Sequence, residues 1–167
     1  MEGASFSLIV KDVHNGETVF AYDTLRQLTP ASVMKTVTTA TALEILGEDY
    51  RFPTTLAYDG SIEKGLLKGN LYIKGSGDPS LGSAHFAPYH KRFLQEWISA
   101  LKKVGIHKIQ GAVIADESIF DTEGTSFKWV GEDMGSYYGA GSYGLCVFDN
   151  LYKLGLQTGA PGSRPKL

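Results

Sequence analysis

Thr29-Pro30-Ala31-Ser32-Val33-Met34-Lys35-Thr36-Val37-Thr38-Thr39-Ala40 opens a segment that predicts a helix starting at Pro30. Thr29 offers a capping hydroxyl. A proline at the first helical position costs nothing, because that N–H has no intrahelical partner. Apolar residues continue through Met34, Val37, Ala40, Ala42, Leu43, Ile45 and Leu46, and Gly47 suits the C-terminal cap. The helix is apolar on most of its surface and is therefore expected to be buried. Ser32 and Lys35, three residues apart, fall on one face of its first turn within hydrogen-bonding reach.

A Ser-x-x-Lys spacing means little alone, since it occurs four times: Ser32/Lys35, Ser61/Lys64, Ser99/Lys102 and Ser163/Lys166. The second lies beside the Asp59-Gly60 turn, the third on a surface helix, and the fourth straddles Pro165 in the tail. The first alone opens a mostly apolar helix, where an unpaired lysine charge is expensive. A desolvated lysine gives up its proton more readily and can then take one from serine, while the helix N-terminus favours negative charge developing at Ser32. The alternative is that Ser32 only caps the helix and Lys35 snorkels to solvent. The local pattern leaves both open.

Working outward, Ser5 to Asp12 alternates, with Phe6, Leu8 and Val10 on one side, and reads as a strand. Asn15-Gly16 predicts a type I′ hairpin turn, with Glu17 to Asp23 returning to pack with the strand against the helix. Downstream, Phe52 to Tyr58 and Gly69 to Lys74 read as strands, with a turn at Asp59-Gly60. Gly75-Ser76-Gly77-Asp78-Pro79 breaks regular structure. It lacks the lysine and the strand-to-helix setting of a phosphate loop, and reads as a turn. Tyr89 to Val104 is an amphipathic helix presenting Phe93, Trp97, Ile98 and Leu101, and Ile109 to Ala115 a strand. Residues 124–144 read as loop. Leu145 to Phe148 and Leu151 to Leu156 look like strands, and the residues from Gly159 onward like a turn or frayed tail.

With 167 residues, 43% hydrophobic and 20% charged at a formal net charge of −2, the composition is that of a folded domain and not of a disordered one. No concentrated basic patch favours nucleic acid or an anionic membrane surface, and pairs such as Lys91-Arg92 and Lys102-Lys103 read as solvated helix faces. The single cysteine, Cys146, excludes an internal disulfide and reads as a buried thiol. His14, His85, His90 and His107 do not fall at metal-ligand spacings, so neither metal nor cofactor is expected. No apolar run is long enough for a transmembrane segment, and no signal peptide precedes the first strand.

Four blocks in order carry a resemblance. They are Leu28 to Ala40, Leu46 to Phe52, Gly69 to Leu81, and Trp129 to Asn150 with its Asp133-Met134 and Tyr137-Tyr138-Gly139-Ala140. The chain, from its first strand to about Leu156, resembles the D-Ala-D-Ala carboxypeptidases of the penicillin-binding-protein 4 type, peptidase family S13. The resemblance implies an α+β fold: the start of a split serine β-lactamase/transpeptidase-like domain (hairpin plus buried Ser-x-x-Lys helix), then an inserted α/β domain. Residues 1–58 would begin the catalytic domain, 59–140 would belong to a first inserted domain, and 141–167 would enter a second or form a tail.

It further implies a serine D-Ala-D-Ala carboxypeptidase/endopeptidase, with Ser32 as nucleophile and Lys35 as general base. Peptidoglycan stem peptides would be its substrates and β-lactam antibiotics its acylating inhibitors, in the bacterial periplasm or cell envelope. Asp133, five positions before Tyr138, would hold the amino group of the stem peptide's third residue; a solvated acid and a packing tyrosine are the alternative. The family's Ser-x-Asn and Lys-Thr-Gly are not in the sequence. Phe148-Asp149-Asn150 has Phe where the hydroxyl is required, and Gln157-Thr158-Gly159 has Gln for Lys, so both read as structural. The Ser32 amide is then the one oxyanion donor present. The expectation is a fragment, inactive alone. A non-catalytic envelope or interaction module descended from such an enzyme is the competing expectation, and a β-lactamase, lacking the three accompanying blocks, the third.

Overall fold

The computed structural model describes residues 3–89 and 92–166. These fall into two compact units that meet in sequence between Tyr50 and Arg51.

In the first unit, β1 (Leu8–Lys11) pairs antiparallel with β2 (Thr18–Tyr22), Leu8 opposite Tyr22 and Val10 opposite Phe20. The turn differs from the type I′ expectation. Gly16 has φ +75°, while Asn15 is not left-handed. The loop is instead a longer one, closed by Asp12 N–H on the Glu17 carbonyl and Gly16 N–H on the Asp12 carbonyl, both at 2.8 Å. Its side chains hold it: Asp12 Oδ1 accepts from His14 N–H at 2.7 Å and Asn15 Oδ1 from Glu17 N–H at 2.9 Å.

The predicted helix forms as α1 (Met34–Leu46), preceded by a tighter turn at Ala31–Val33. Gly47, at φ +80°, ends it by donating to the Leu43 carbonyl at 2.9 Å. Two expectations fail here. Thr29 supplies no cap, since no side chain bonds the first N–H groups. Nor is α1 buried: each of its residues is exposed, Val37 at 60% and Ile45 at 74%. A helix apolar all round is covered only when packed on all sides. The hairpin, itself exposed on both faces, does not do that.

The second unit holds two three-stranded sheets that share a crease. β3 (Thr55–Tyr58), β6 (Leu71–Lys74) and β8 (Val113–Asp116) form one in the order β3-β6-β8. β4 (Ser61–Glu63), β5 (Leu66–Lys68) and β7 (Lys108–Gln110) form the other, in the order β4-β5-β7. The segments read as single strands are thus broken: β5 runs into β6 through Gly69-Asn70, and β7 into β8 through Gly111-Ala112. Backbones nearly touch at these breaks. A Cβ on Gly69 would collide with the Asp59 carbonyl, and one on Gly111 with the Gly69 carbonyl.

β5 and β7 are parallel, as are β6 and β8, and α2 (Arg92–Lys103) provides the crossover such pairs require. Leu67, Leu71 and Ile106 form the buried core, backed by Ile62, Leu101 and Ile109. Phe93 is buried and meets Trp97 edge-on at 4.9 Å. Ile98, expected on that side, is 45% exposed. The expected start of α2 falls partly on 90–91, so His90 and Lys91 lie outside the described residues.

Beyond β8 the chain makes short turns, at Gly131–Asp133 and Tyr137–Gly139. The two strands expected after residue 144 do not form. Leu145 makes a lone bridge to Asp78, Phe148–Asn150 is a turn, and the exposed residues 151–156 have no strand partner among the described residues. β3 is paired into the second compact unit, which begins at Arg51.

Candidate active site

At the head of α1, Val33 N–H donates to the Pro30 carbonyl at 3.1 Å, which winds the tight turn carrying Ser32. Lys35 then projects back over that turn, and its Nζ donates to Ser32 Oγ at 3.1 Å. Both side chains are exposed, so solutes can reach them. Lys35 is held from behind by Thr39, whose hydroxyl donates to the Lys35 carbonyl at 2.7 Å. Ala31, immediately before Ser32, has φ +46°, a conformation alanine rarely adopts.

This arrangement has the parts of an activated nucleophile. A hydroxyl and an amine lie within proton-transfer distance at the positive end of a 13-residue helix. In this contact the Lys35 amine donates and the Ser32 hydroxyl accepts.

Asp133 and Tyr138 also meet. Tyr138 Oη donates to Asp133 Oδ1 at 3.1 Å, and the Tyr137 ring stands edge-on to Tyr138 at 5.2 Å and 85°. Tyr138 is exposed and Asp133 half-buried, on the loop after β8. The pair belongs to the second unit and the Ser32–Lys35 pair to the first.

The two lookalike motifs hold backbone geometry. Phe148, Asp149 and Asn150 are all left-handed, and Gln157 exchanges backbone hydrogen bonds with Lys166. The Gly75–Pro79 segment is a turn, as expected: Gly77 N–H donates to the Gly144 carbonyl at 2.7 Å, and Asp78 Oδ1 accepts from Ser80 N–H and Oγ at 2.8 and 2.6 Å. Cys146 is buried, its thiol donating to the Tyr143 carbonyl at 3.2 Å. Among the described residues no cluster of three or more His, Cys, Asp or Glu is placed to hold a metal ion, and no helix is long and apolar enough to cross a membrane.

One polar cluster had no sequence signal beyond a turn at Asp59-Gly60. Asp59 accepts from Asn70 N–H at 2.6 Å, Tyr72 Oη at 2.8 Å and Asn70 Nδ2 at 3.1 Å. These bonds, the Asn70 amide first, hold its carboxyl below the usual carboxylate range. The same contact pushes the Tyr72 hydroxyl up. Asn70 Oδ1 accepts in turn from Ala112 N–H at 3.0 Å, so the cluster clamps all three strands at the crease. Asp116 is likewise lowered, by the Ser118 hydroxyl and then its N–H.

Known proteins resemble this chain in sequence and fold. A D-alanyl-D-alanine carboxypeptidase of Actinomadura sp. (strain R39) is 33% identical over 147 residues, 88% of this chain and 26% of that protein. The D-alanyl-D-alanine carboxypeptidase DacB of Haemophilus influenzae is 29% identical over 133 residues, 80% of this chain and 26% of that protein. The chain thus spans about a quarter of the length of these relatives. The crystal structure of penicillin binding protein 4 (dacB) from H. influenzae superposes with a TM-score of 0.73 at 28% identity, covering 85% of this chain and 30% of that one. The same protein complexed with a novel β-lactam gives 0.61 at 32% identity, covering 72% of this chain and 26% of that one. The D-Ala-D-Ala carboxypeptidase 3 (S13) family matches residues 1–167, and the chain belongs to that family.

Proposed function

We propose that this chain carries the nucleophile and base of a serine D-Ala-D-Ala carboxypeptidase/endopeptidase acting on peptidoglycan stem peptides. The observation that carries the proposal is the 3.1 Å contact of Lys35 Nζ with Ser32 Oγ at the head of α1, in a chain of the S13 family. Neutral Lys35 takes the hydroxyl proton as Ser32 Oγ attacks the carbonyl of the D-Ala-D-Ala bond, and the Ser32 amide faces the developing oxyanion. The proton is passed to the amine of the departing D-alanine. Water then releases the peptide from the acyl-enzyme by the same base. A β-lactam follows the first half of this path and is released slowly.

Neither Ser-x-Asn nor Lys-Thr-Gly occurs in the 167 residues. Acyl transfer is therefore assigned to a longer protein in which other segments supply those groups, with 1–58, 59–140 and 141–167 distributed over a split catalytic domain and its insertions. Asp133 with Tyr138 is proposed to receive the ammonium of the stem peptide's third residue, carboxylate against charge and ring against aliphatic stem. A bacterial periplasmic or envelope location follows from the substrate.

The test is covalent labelling of the full-length protein with a fluorescent penicillin. Labelling is expected at Ser32 and is expected to vanish in Ser32→Ala. Undiminished labelling of that variant would remove Ser32 from the mechanism.

A further inference from the structure

We propose that the cavity walled by Phe120, Tyr137, Tyr143 and Asp149 binds a short alkylammonium group. It lies wholly within the second unit and stands independently of the acyl-transfer chemistry.

The starting point is Phe148-Asp149-Asn150, three consecutive residues at φ +53°, +59° and +51°. L-residues visit this region singly, and Asn and Asp most readily, so three in a row including a phenylalanine is a strained turn of left-handed helix. Such strain persists only where the surroundings enforce it, and it gathers at ligand sites. Both ends are pinned here. Phe148 N–H donates to the Leu81 carbonyl at 2.8 Å, and its ring meets Phe93 edge-on at 5.7 Å, in space that a side chain on Gly82 would fill. Asn150 Nδ2 donates to the Gly141 carbonyl at 2.7 Å and contacts Cys146 Sγ at 3.2 Å.

Asp149 sits between these anchors, and its carboxylate has no hydrogen bond or ion pair among the described residues. It lines a cavity of about 240 Å³ whose other walls include the three aromatic side chains and Cys146. No lysine, arginine or histidine lines it.

An unpartnered carboxylate repels anions. A bare divalent cation would want several oxygen ligands, and Asp149 is the one carboxylate lining the cavity. A cation on a short apolar stem suits the walls: its charge meets Asp149, and aromatic faces attract the same charge while covering the stem. The volume lies below the ~300–1,000 Å³ of sites for drug-sized ligands, which favours a ligand of a few carbons. Tyr137 also touches Tyr138, so the cavity adjoins the Asp133–Tyr138 pair without sharing its carboxylate.

The experiment titrates n-butylammonium chloride into the intact chain and follows backbone amide shifts by NMR. Saturable shifts confined to residues 119–121 and 137–150 are expected, with neither butanol nor butyrate producing them. Asp149→Asn keeps a residue that tolerates the left-handed turn and removes the charge; its affinity is expected to fall tenfold or more. Absence of saturable shifts, equal binding of butanol, or unchanged affinity in Asp149→Asn would each overturn the proposal. If Asp149→Asn loses its folded spectrum, Phe120→Leu decides: weakening of several-fold supports the site, and unchanged affinity rejects it.

Discussion

At the residue scale, the proposed chemistry rests on whether Lys35 can give up its proton, and two substitutions separate that role from simple charge. Arginine keeps the charge but does not deprotonate in proteins, whereas methionine removes both. In full-length protein, both Lys35→Arg and Lys35→Met are expected to slow acylation of Ser32 by about 10²–10⁴-fold, the usual span of general acid–base catalysis. Retained rate in Lys35→Arg would make the lysine an electrostatic partner instead. Lys35 is exposed in the first turn of α1, so in this chain neither change is expected to shift stability by more than about 0.5 kcal/mol, measured by denaturant titration. The Ser32–Lys35 contact was legible in the sequence because helix geometry brings residues three apart together. Its choice among four equal spacings was not local. That came from neighbouring blocks, as did the choice of Asp133 and Tyr138, whereas the hydrogen bond between those two had no sequence signal.

At the element scale, legibility followed the range of the interaction. Gly16 and Gly47 announce turn and cap by their own conformational freedom, and both hold those places. The three-residue strands β4, β5 and β7 are too short to show alternation, and their breaks with β6 and β8 depend on which backbone lies alongside. The clamp at the break has a measurable signature. Asp59 is held below its unfolded value of about 3.9, so it contributes stability that is present above that pH and lost as pH falls through the lowered folded value. The Tyr72 contact acts at the other limit: its stabilisation is complete below about pH 10 and lost as pH rises through the raised folded value. Asp59→Asn is expected to lower the melting temperature at neutral pH and to flatten its dependence between about pH 2 and 5. Asp116 titrates with the same sign, so some acid sensitivity stays in the variant. An unchanged acid limb would mean that the clamp contributes nothing.

At the scale of the whole molecule, the chain contrasts a unit with its own core and a unit whose helix and hairpin stay in solvent. The sequence led to a buried α1 because an all-round apolar helix is stable only when surrounded, and nothing in a linear pattern states which segment does the surrounding. In the second unit the placement of Asp149 was equally hidden, since the left-handed turn is anchored at Phe148 by contacts with Leu81 and Phe93, far off in sequence, and at Asn150 by the Gly141 carbonyl. The crease has a consequence for how the second unit is divided. A chain severed between Gly69 and Asn70 would leave β3, β4 and β5 on one piece and β6, β7 and β8 on the other. Neither piece would then own a finished sheet of the second unit, since both of that unit's sheets draw strands from both. Separately, the pieces of residues 51–69 and 70–167 are expected to give the circular dichroism of unfolded chains, and mixed they are expected to recover the sheet signal by fragment complementation.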